Sequence, residues 1–257
     1  EKLLAGRIEL LKKLDPLNEA QAEELLLLAG DVPGLDVQLS LRPAASAPGD
    51  VIGEMTVVYR RFSMIGNVQN YNSKQLGRET AYVRGEYYGL TGSADMTYLG
   101  LSATADFKEQ KIAQFGHVMG VGSQGASVAA RFTFALSDPS VENLDLRTRS
   151  IITSLEYSRP LVRSLTKNAA VTTGFEFAEQ RTKVGTGAGK TPLNRDRIST
   201  LFARIGGDMR ALRQDGQEKS RLSGMLELRQ GLNVLGSTDR GAVAASGYSP
   251  SRFGGGA

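Results

Sequence analysis

The sequence predicts a mainly β fold: a transmembrane antiparallel β-barrel, incomplete at about nine strands, preceded by a partial α+β unit. Three observations carry this expectation. In residues 154–180, SLEYSRPLVRSLTKNAAVTTGFEFAEQ, the second half places Ala169, Val171, Thr173, Phe175 and Phe177 on one face and Ala170, Thr172, Gly174, Glu176 and Ala178 on the other. That is a period of two, not 3.6. Some nine segments after Met64 alternate in the same way, most of them near the roughly 9–11 residues that cross a bilayer when tilted. Helical spacing, by contrast, is confined to residues 1–28.

Within that first part, Leu3, Leu4, Ile8, Leu11 and Leu14 recur at helical spacing until Asp15-Pro16 interrupts them. A second helix is expected from about Asn18, an N-cap with Gln21 three residues on, and Gly30 takes the C′ position. The run Leu25, Leu26, Leu27 and Leu28 reads as core. Gly30-Asp31-Val32-Pro33-Gly34 is a turn by its Pro and Gly content. Val37, Leu39 and Leu41 then alternate with Gln38, Ser40 and Arg42, and a Pro/Ala/Ser/Gly loop over 43–50 leads to a strand over 52–60. This α+β unit ends near Phe62, which divides the chain into residues 1–62 and 63–257.

The alternating segments are 64–71, 80–88, 96–106, 110–121, 127–136, 146–157, 169–179, 198–211 and 222–232. Connectors 89–95, 122–126, 158–168 and 212–221 are compact, whereas 137–145, 181–197 and the tail from Asn233 are longer or Gly-rich. Short turns on one rim and long loops on the other are a barrel trait. Val128, Ala130, Phe132, Phe134 and Leu136 oppose Arg131 and Thr133. Leu201, Ala203, Ile205 and Met209 oppose Phe202, Arg204, Asp208 and Arg210; Leu222, Leu226 and Leu228 oppose Arg221, Ser223, Glu227 and Arg229. The alternation therefore names Arg84, Glu86, Arg131, Glu176, Arg204, Asp208, Arg210, Glu227 and Arg229 as facing a wet lumen. A soluble sandwich with one solvated face fits the same pattern. The absence of Trp and an aromatic content of 7% leave only a thin aromatic girdle.

Composition narrows the chemistry. Without Cys there is no disulfide, thiolate-metal site or Cys nucleophile. A lone His speaks against a His-based metal site or a Ser-His-Asp triad, so neither an enzyme nor a cofactor is expected. The formal charge of +4 comes from Lys and Arg scattered singly, without the basic run of a nucleic-acid face. No window approaches the roughly 18 continuous apolar residues of a spanning helix, and a mean hydropathy of -0.22 suits alternating strands. No basic segment followed by an apolar one opens the chain, and it ends in SRFGGGA, so both ends read as cut from a longer protein.

Gly185-Thr186-Gly187-Ala188-Gly189-Lys190-Thr191 imitates a phosphate-binding loop, but the first Gly of G-x-x-x-x-G-K-[ST] falls on Val184, and Pro192 follows where a helix must begin. A loop between strands is expected there, and no nucleotide. His117, with apolar residues on both faces, reads as structural, near the membrane rim. Asp106 with Glu109, and Asp138 with Glu142 and Asp145, lack calcium-loop spacing and read as solvated charge.

Several stretches, in order, resemble one family. LLLLAGDVPGLDVQLSLRPA (25–44) resembles the end of the second polypeptide-transport-associated (POTRA) domain of two-partner secretion transporters of the haemolysin secretion/activation type. NVQNYNSKQLGRETAYVRGEYYGLTGSADMT (67–97) resembles the first barrel hairpin of that family, and Tyr157-Ser158-Arg159-Pro160-Leu161-Val162-Arg163 is similar to a mid-barrel strand end and turn. The resemblance covers nearly the whole chain. It implies the C-terminal part of a periplasmic POTRA domain and the first part of a sixteen-stranded barrel in the outer membrane of a Gram-negative bacterium. The implied partners are outer-membrane lipid and an extended haemolysin- or adhesin-type exoprotein, with no nucleic acid. The exoprotein would add a strand to the edge formed by Val37, Gln38, Leu39, Ser40, Leu41 and Arg42.

Two features depart from the family pattern. Its VRG-aromatic loop belongs to the second half of the barrel, which this chain does not reach. Val83-Arg84-Gly85-Glu86 copies three letters and is expected to be a strand with a lumen-facing Arg. Nine strands also leave the sheet open, with unpaired edges. If Met64 starts an outgoing strand, 158–168 turns in the periplasm and Ala169–Glu179 rises with Phe175 and Phe177 in lipid. A barrel assembly factor of the same superfamily and a soluble all-β binding module are the alternative expectations.

Overall fold

An Ala- and Leu-rich stretch without β-branched residues folds as helix α1 (Glu19–Gly30). The computed structural model describes residue 9 and residues 19–43, 51–141, 144–185, 189–213 and 217–238. The helix expected around Leu3 to Leu14 and the N-cap at Asn18 lie outside them. Of the four leucines read as core, Leu28 is fully buried, at 4% exposure, and Leu25, Leu26 and Leu27 are half-buried. Gly30 is the last helical residue and not the left-handed C′ residue expected. The Asp31 N–H donates to the Leu27 carbonyl (2.9 Å), and the reversal into the next strand is made at Gly34, with φ 78°.

Strands β1 (Leu35–Pro43) and β2 (Val51–Tyr59) pair antiparallel from Leu35↔Tyr59 to Pro43↔Val51 as a two-stranded sheet. Only Arg60 and Arg61 separate β2 from β3 (Phe62–Gln69), so the first strand of the large sheet starts two residues earlier than expected. β4 (Thr80–Tyr88), β5 (Met96–Thr104), β6 (Gln110–Val121) and β7 (Ala126–Ser137) follow. The two-residue β8 (Ser140–Val141) pairs with β9 (Leu144–Arg163). The sheet closes its sequence with β10 (Lys167–Gly185), β11 (Lys190–Leu212) and β12 (Glu218–Leu232). Its order is β12-β11-β10-β9-β7-β6-β5-β4-β3, all neighbours antiparallel, so nine strands run as a meander. The path does not close on itself: β3 and β12 each keep one unpaired edge among the described residues.

The expected connectors need correction in the second half. Residues 158–168 and 181–197 are mostly strand: β9, β10 and β11 have 20, 19 and 23 residues, and the turn between β9 and β10 is only 164–166. The apolar alternation ends at Phe177, but the backbone ladder runs on through charged and polar pairs, Glu179↔Arg197, Gln180↔Asp196 and Arg181↔Arg195. Main-chain hydrogen bonds do not need an apolar face to continue. The phosphate-loop imitation lies within this extension. Gly185 pairs with Lys190, and a strand follows where a phosphate site would need a helix; residues 186–188 lie outside the described residues.

Helix α1 fixes which rim is which. Leu28 comes so close to Gly125, in the turn between β6 and β7, that a Cβ there would lie 2.5 Å from its Cδ2. The Arg163 guanidinium donates to both Asp31 carboxylate oxygens (2.8 and 2.7 Å), and the Leu165 N–H donates to Glu23 (2.6 Å). The Tyr59 hydroxyl donates to the Tyr88 carbonyl (2.6 Å). Turns 89–95, 122–125 and 164–166 thus lie on the rim that meets the α+β unit, and turn 105–109 and the paired strand ends Gly185 and Lys190 lie on the opposite rim.

Candidate functional site

Cross-strand partners share a face, so the register alone sorts the sheet. One row runs Ile65, Arg84, Gly100, Gln114, Thr133, Ile152 and Ala178 through β3 to β10. A second runs Gly116, Arg131, Ser154, Glu176, Thr200 and Gly231 from β6 to β12. All nine residues named from alternation project from this one face. The other face presents Val83, Leu99, Leu101, Phe115, Phe132, Leu155, Leu201, Ile205, Leu226 and Leu228, all exposed. A sandwich would cover such a face with a second sheet; among the described residues none does. An exposed apolar surface of this extent marks contact with a partner or a bilayer.

The polar face neutralises itself. Arg84 pairs with Glu86 (2.8 Å) and stacks over the Tyr98 ring, 3.9 Å from its centroid. Arg131 pairs with Glu156 (2.5 Å), a partner that the alternation of Ser154, Glu156 and Ser158 against Leu155 and Tyr157 could have supplied. Glu176, Arg229, Glu227 and Arg204 form a chain over three strands, with links of 2.7, 3.4 and 2.5 Å. Asp208 takes Arg210 (3.4 Å) and Arg221 (3.5 Å). Phe202 also points to this side, 5% exposed, under Arg204 and Arg229 at 5.5 and 5.7 Å. It fits because Gly174 has no side chain: a Cβ there would stand 2.6 Å from the Phe202 ring.

β1, which carries Val37, Gln38, Leu39, Ser40, Leu41 and Arg42, uses one edge on β2 and has no strand on its other edge among the described residues. His117 belongs to the apolar face, beside Phe115 and Met119 in alternation, and its Nδ1 lies 2.8 Å from the Thr97 hydroxyl. Asp138 and Asp145 face Lys190 at 3.8 and 2.8 Å; Glu142 lies outside the described residues. Among the described residues no group of three or more His, Asp or Glu could hold a metal.

Nothing in the alternation marks one further carboxylate. Asp95, in the turn before β5, is 0% exposed. Burial pushes its carboxyl up, but the Thr91 hydroxyl and the Thr91 and Ser93 N–H groups donate to it, and together with His117 they hold it below the ordinary carboxylate range.

No family model matches the chain, and no curated protein does. Solved structures do. CdiB from Escherichia coli matches with a TM-score of 0.64 at 14% identity, over 80% of this chain and 38% of that one. CdiB from Acinetobacter baumannii matches with a TM-score of 0.57 at 12% identity, over 84% of this chain and 40% of that one. BamA from Haemophilus ducreyi lacking POTRA domains 1-3 gives 0.48 at 10% identity, over 86% of this chain and 43% of that one. The chain spans about two fifths of the length of the CdiB chains. The likeness to CdiB shows the fold: the nine strands are part of a transmembrane β-barrel, preceded by a partial α+β unit.

Proposed function

We propose that this chain is the early part of an outer-membrane transporter of a Gram-negative bacterium that exports an extended haemolysin- or adhesin-type protein by two-partner secretion. One observation carries the reading: a charge-neutralised polar face is backed by an exposed apolar face, with an α+β unit docked on one rim, in a fold shared with CdiB, a two-partner secretion transporter. The α+β unit lies in the periplasm and takes the exported chain as an added strand on the free edge of β1, through main-chain hydrogen bonds that are indifferent to most of its sequence. The polar face then offers a hydrated path. Its guanidinium and carboxylate groups are already paired, so a passing polypeptide meets no strong isolated charge to hold it. The reading assigns no covalent chemistry.

Single-cysteine labelling of the full-length protein in intact cells tests the topology. Lys190→Cys labels from outside and Arg163→Cys does not; the reverse pattern refutes the orientation. Export is read separately, by comparing surface proteins with and without the full-length protein. Loss of one large surface protein supports export. A general fall in other outer-membrane barrels points to an assembly factor instead.

A further inference from the structure

The outward face changes character along β9, β10 and β11. Towards α1 it presents Leu155, Phe175 and Leu201, which pair across the strands; away from α1 the same faces turn basic. One cross-strand row reads Lys111, Leu136, Arg149, Arg181 and Arg195, from β6 to β11. Three arginines directly abreast repel one another, which costs a sheet stability unless an anion intervenes. Glu179 supplies part of the answer: it is 8% exposed and accepts from Arg181 (2.6 Å), Arg195 (3.0 Å) and Arg197 (2.6 Å).

Arg149 and Lys183 are left out of this neutralisation. Beside the row, Leu136, Arg147, Arg149, Arg181, Lys183 and Lys190 line a recess of about 290 Å³. Asp138 and Asp145 hold Arg147 and Lys190 from its edge. Arg149 lies 5.3 Å from the Phe134 ring centroid, and neither it nor Lys183 has a carboxylate partner among the described residues.

We infer that this recess binds the phosphate groups of a membrane lipid headgroup. The inference rests on the membrane reading above. The recess opens on the side of the sheet that carries the apolar strip, so a lipid whose acyl chains lie on Phe132, Leu155 and Leu201 has its headgroup at the arginines. Guanidinium forks match phosphate oxygens in pairs, and they are less hydrated than ammonium groups. Charge complementarity selects an anionic head, and the adjoining apolar strip selects a lipid over a free anion.

The test uses the full-length protein in dodecylmaltoside, with native mass spectrometry after titration with diphosphoryl lipid A, the same lipid without its phosphates, or inorganic phosphate. The phosphorylated lipid binds the parent, and the double variant Arg149→Gln/Lys183→Gln binds it about tenfold more weakly. Arg159→Gln, outward at the α1 rim where Arg159 donates to Gln124, binds as the parent does. Equal binding of the dephosphorylated lipid, or unchanged binding by the double variant, overturns the inference. Displacement of the lipid by equimolar inorganic phosphate overturns the lipid as ligand and leaves a plain anion site. Should the double variant fail to fold, Lys183→Gln alone is expected to weaken binding by about threefold. A parent protein that stays in solution without detergent would instead refute the membrane reading itself.

Discussion

The polar face and the outward rim both carry arginines, yet they satisfy them differently. On the polar face Arg84, Arg131, Arg204 and Arg229 have Glu86, Glu156, Glu227 and Glu176, while Arg210 and Arg221 share Asp208. On the rim a single carboxylate, Glu179, serves three guanidinium groups, and Arg149 rests on an aromatic ring. A face that neutralises itself needs only water around it. One that does not leaves cationic groups open to a counter-charge from outside.

The contrast between faces is broken most severely within β9, which exposes an aliphatic residue on each side: Leu155 outward at 57% and Ile152 on the polar face at 41%. Leu155→Arg costs about 3 kcal/mol when the full-length protein folds into vesicles, because a guanidinium is forced against hydrocarbon. Ile152→Arg costs less than about 0.5 kcal/mol by the same urea titration. Equal costs would mean that the two faces meet the same solvent.

The next effect isolates the shared carboxylate. Glu179→Gln leaves three arginines competing for one neutral amide and lowers stability by about 2 kcal/mol. Glu176→Gln, on the polar face, frees one arginine that still has Glu227 and costs about 0.5 kcal/mol. Denaturant midpoints of the two variants should therefore fall in that order.

The smallest effect is read through pH, at the turn 89–95 on the rim that meets the α+β unit. The Asp95 carboxyl is held below its usual range in the folded chain, so its contribution is fully present above the unfolded carboxylate value of about 3.9. That contribution is lost as pH falls through the lower folded value. Asp95→Asn removes this portion of the acid sensitivity, which is measured as the loss of stability between about pH 5 and pH 2.

Most of the sheet was legible because the period of two is a local signal. Arg131 against Phe132, and Arg204 against Ile205, fix faces whatever the strands' neighbours are. Strand ends were not legible, because residues 179–185 and 190–198 keep their backbone ladder after the apolar alternation stops, and charged pairs such as Glu179↔Arg197 look like loop in one dimension. Arg149, Arg181 and Arg195 form a row only once three strands are in register, so nothing in their spacing announces a site. The docking of α1 was hidden for the same reason, since Asp31 and Arg163 are 132 residues apart. The contact of Glu23 with the backbone of Leu165 leaves no trace in composition.

The short join between β2 and β3 has a mechanical consequence. Arg60 donates its N–H to the Gly34 carbonyl (2.8 Å), and the Arg61 carbonyl accepts from Tyr88 (2.9 Å), so both linker residues are pinned. Two residues span at most about 7 Å when fully extended, which leaves no slack to absorb a pull. A load applied to β1 or β2 therefore passes directly into β3, eight residues long and held by β4 alone among the described strands. Under tension that strand peels first, and the rest of the sheet is shielded until it does.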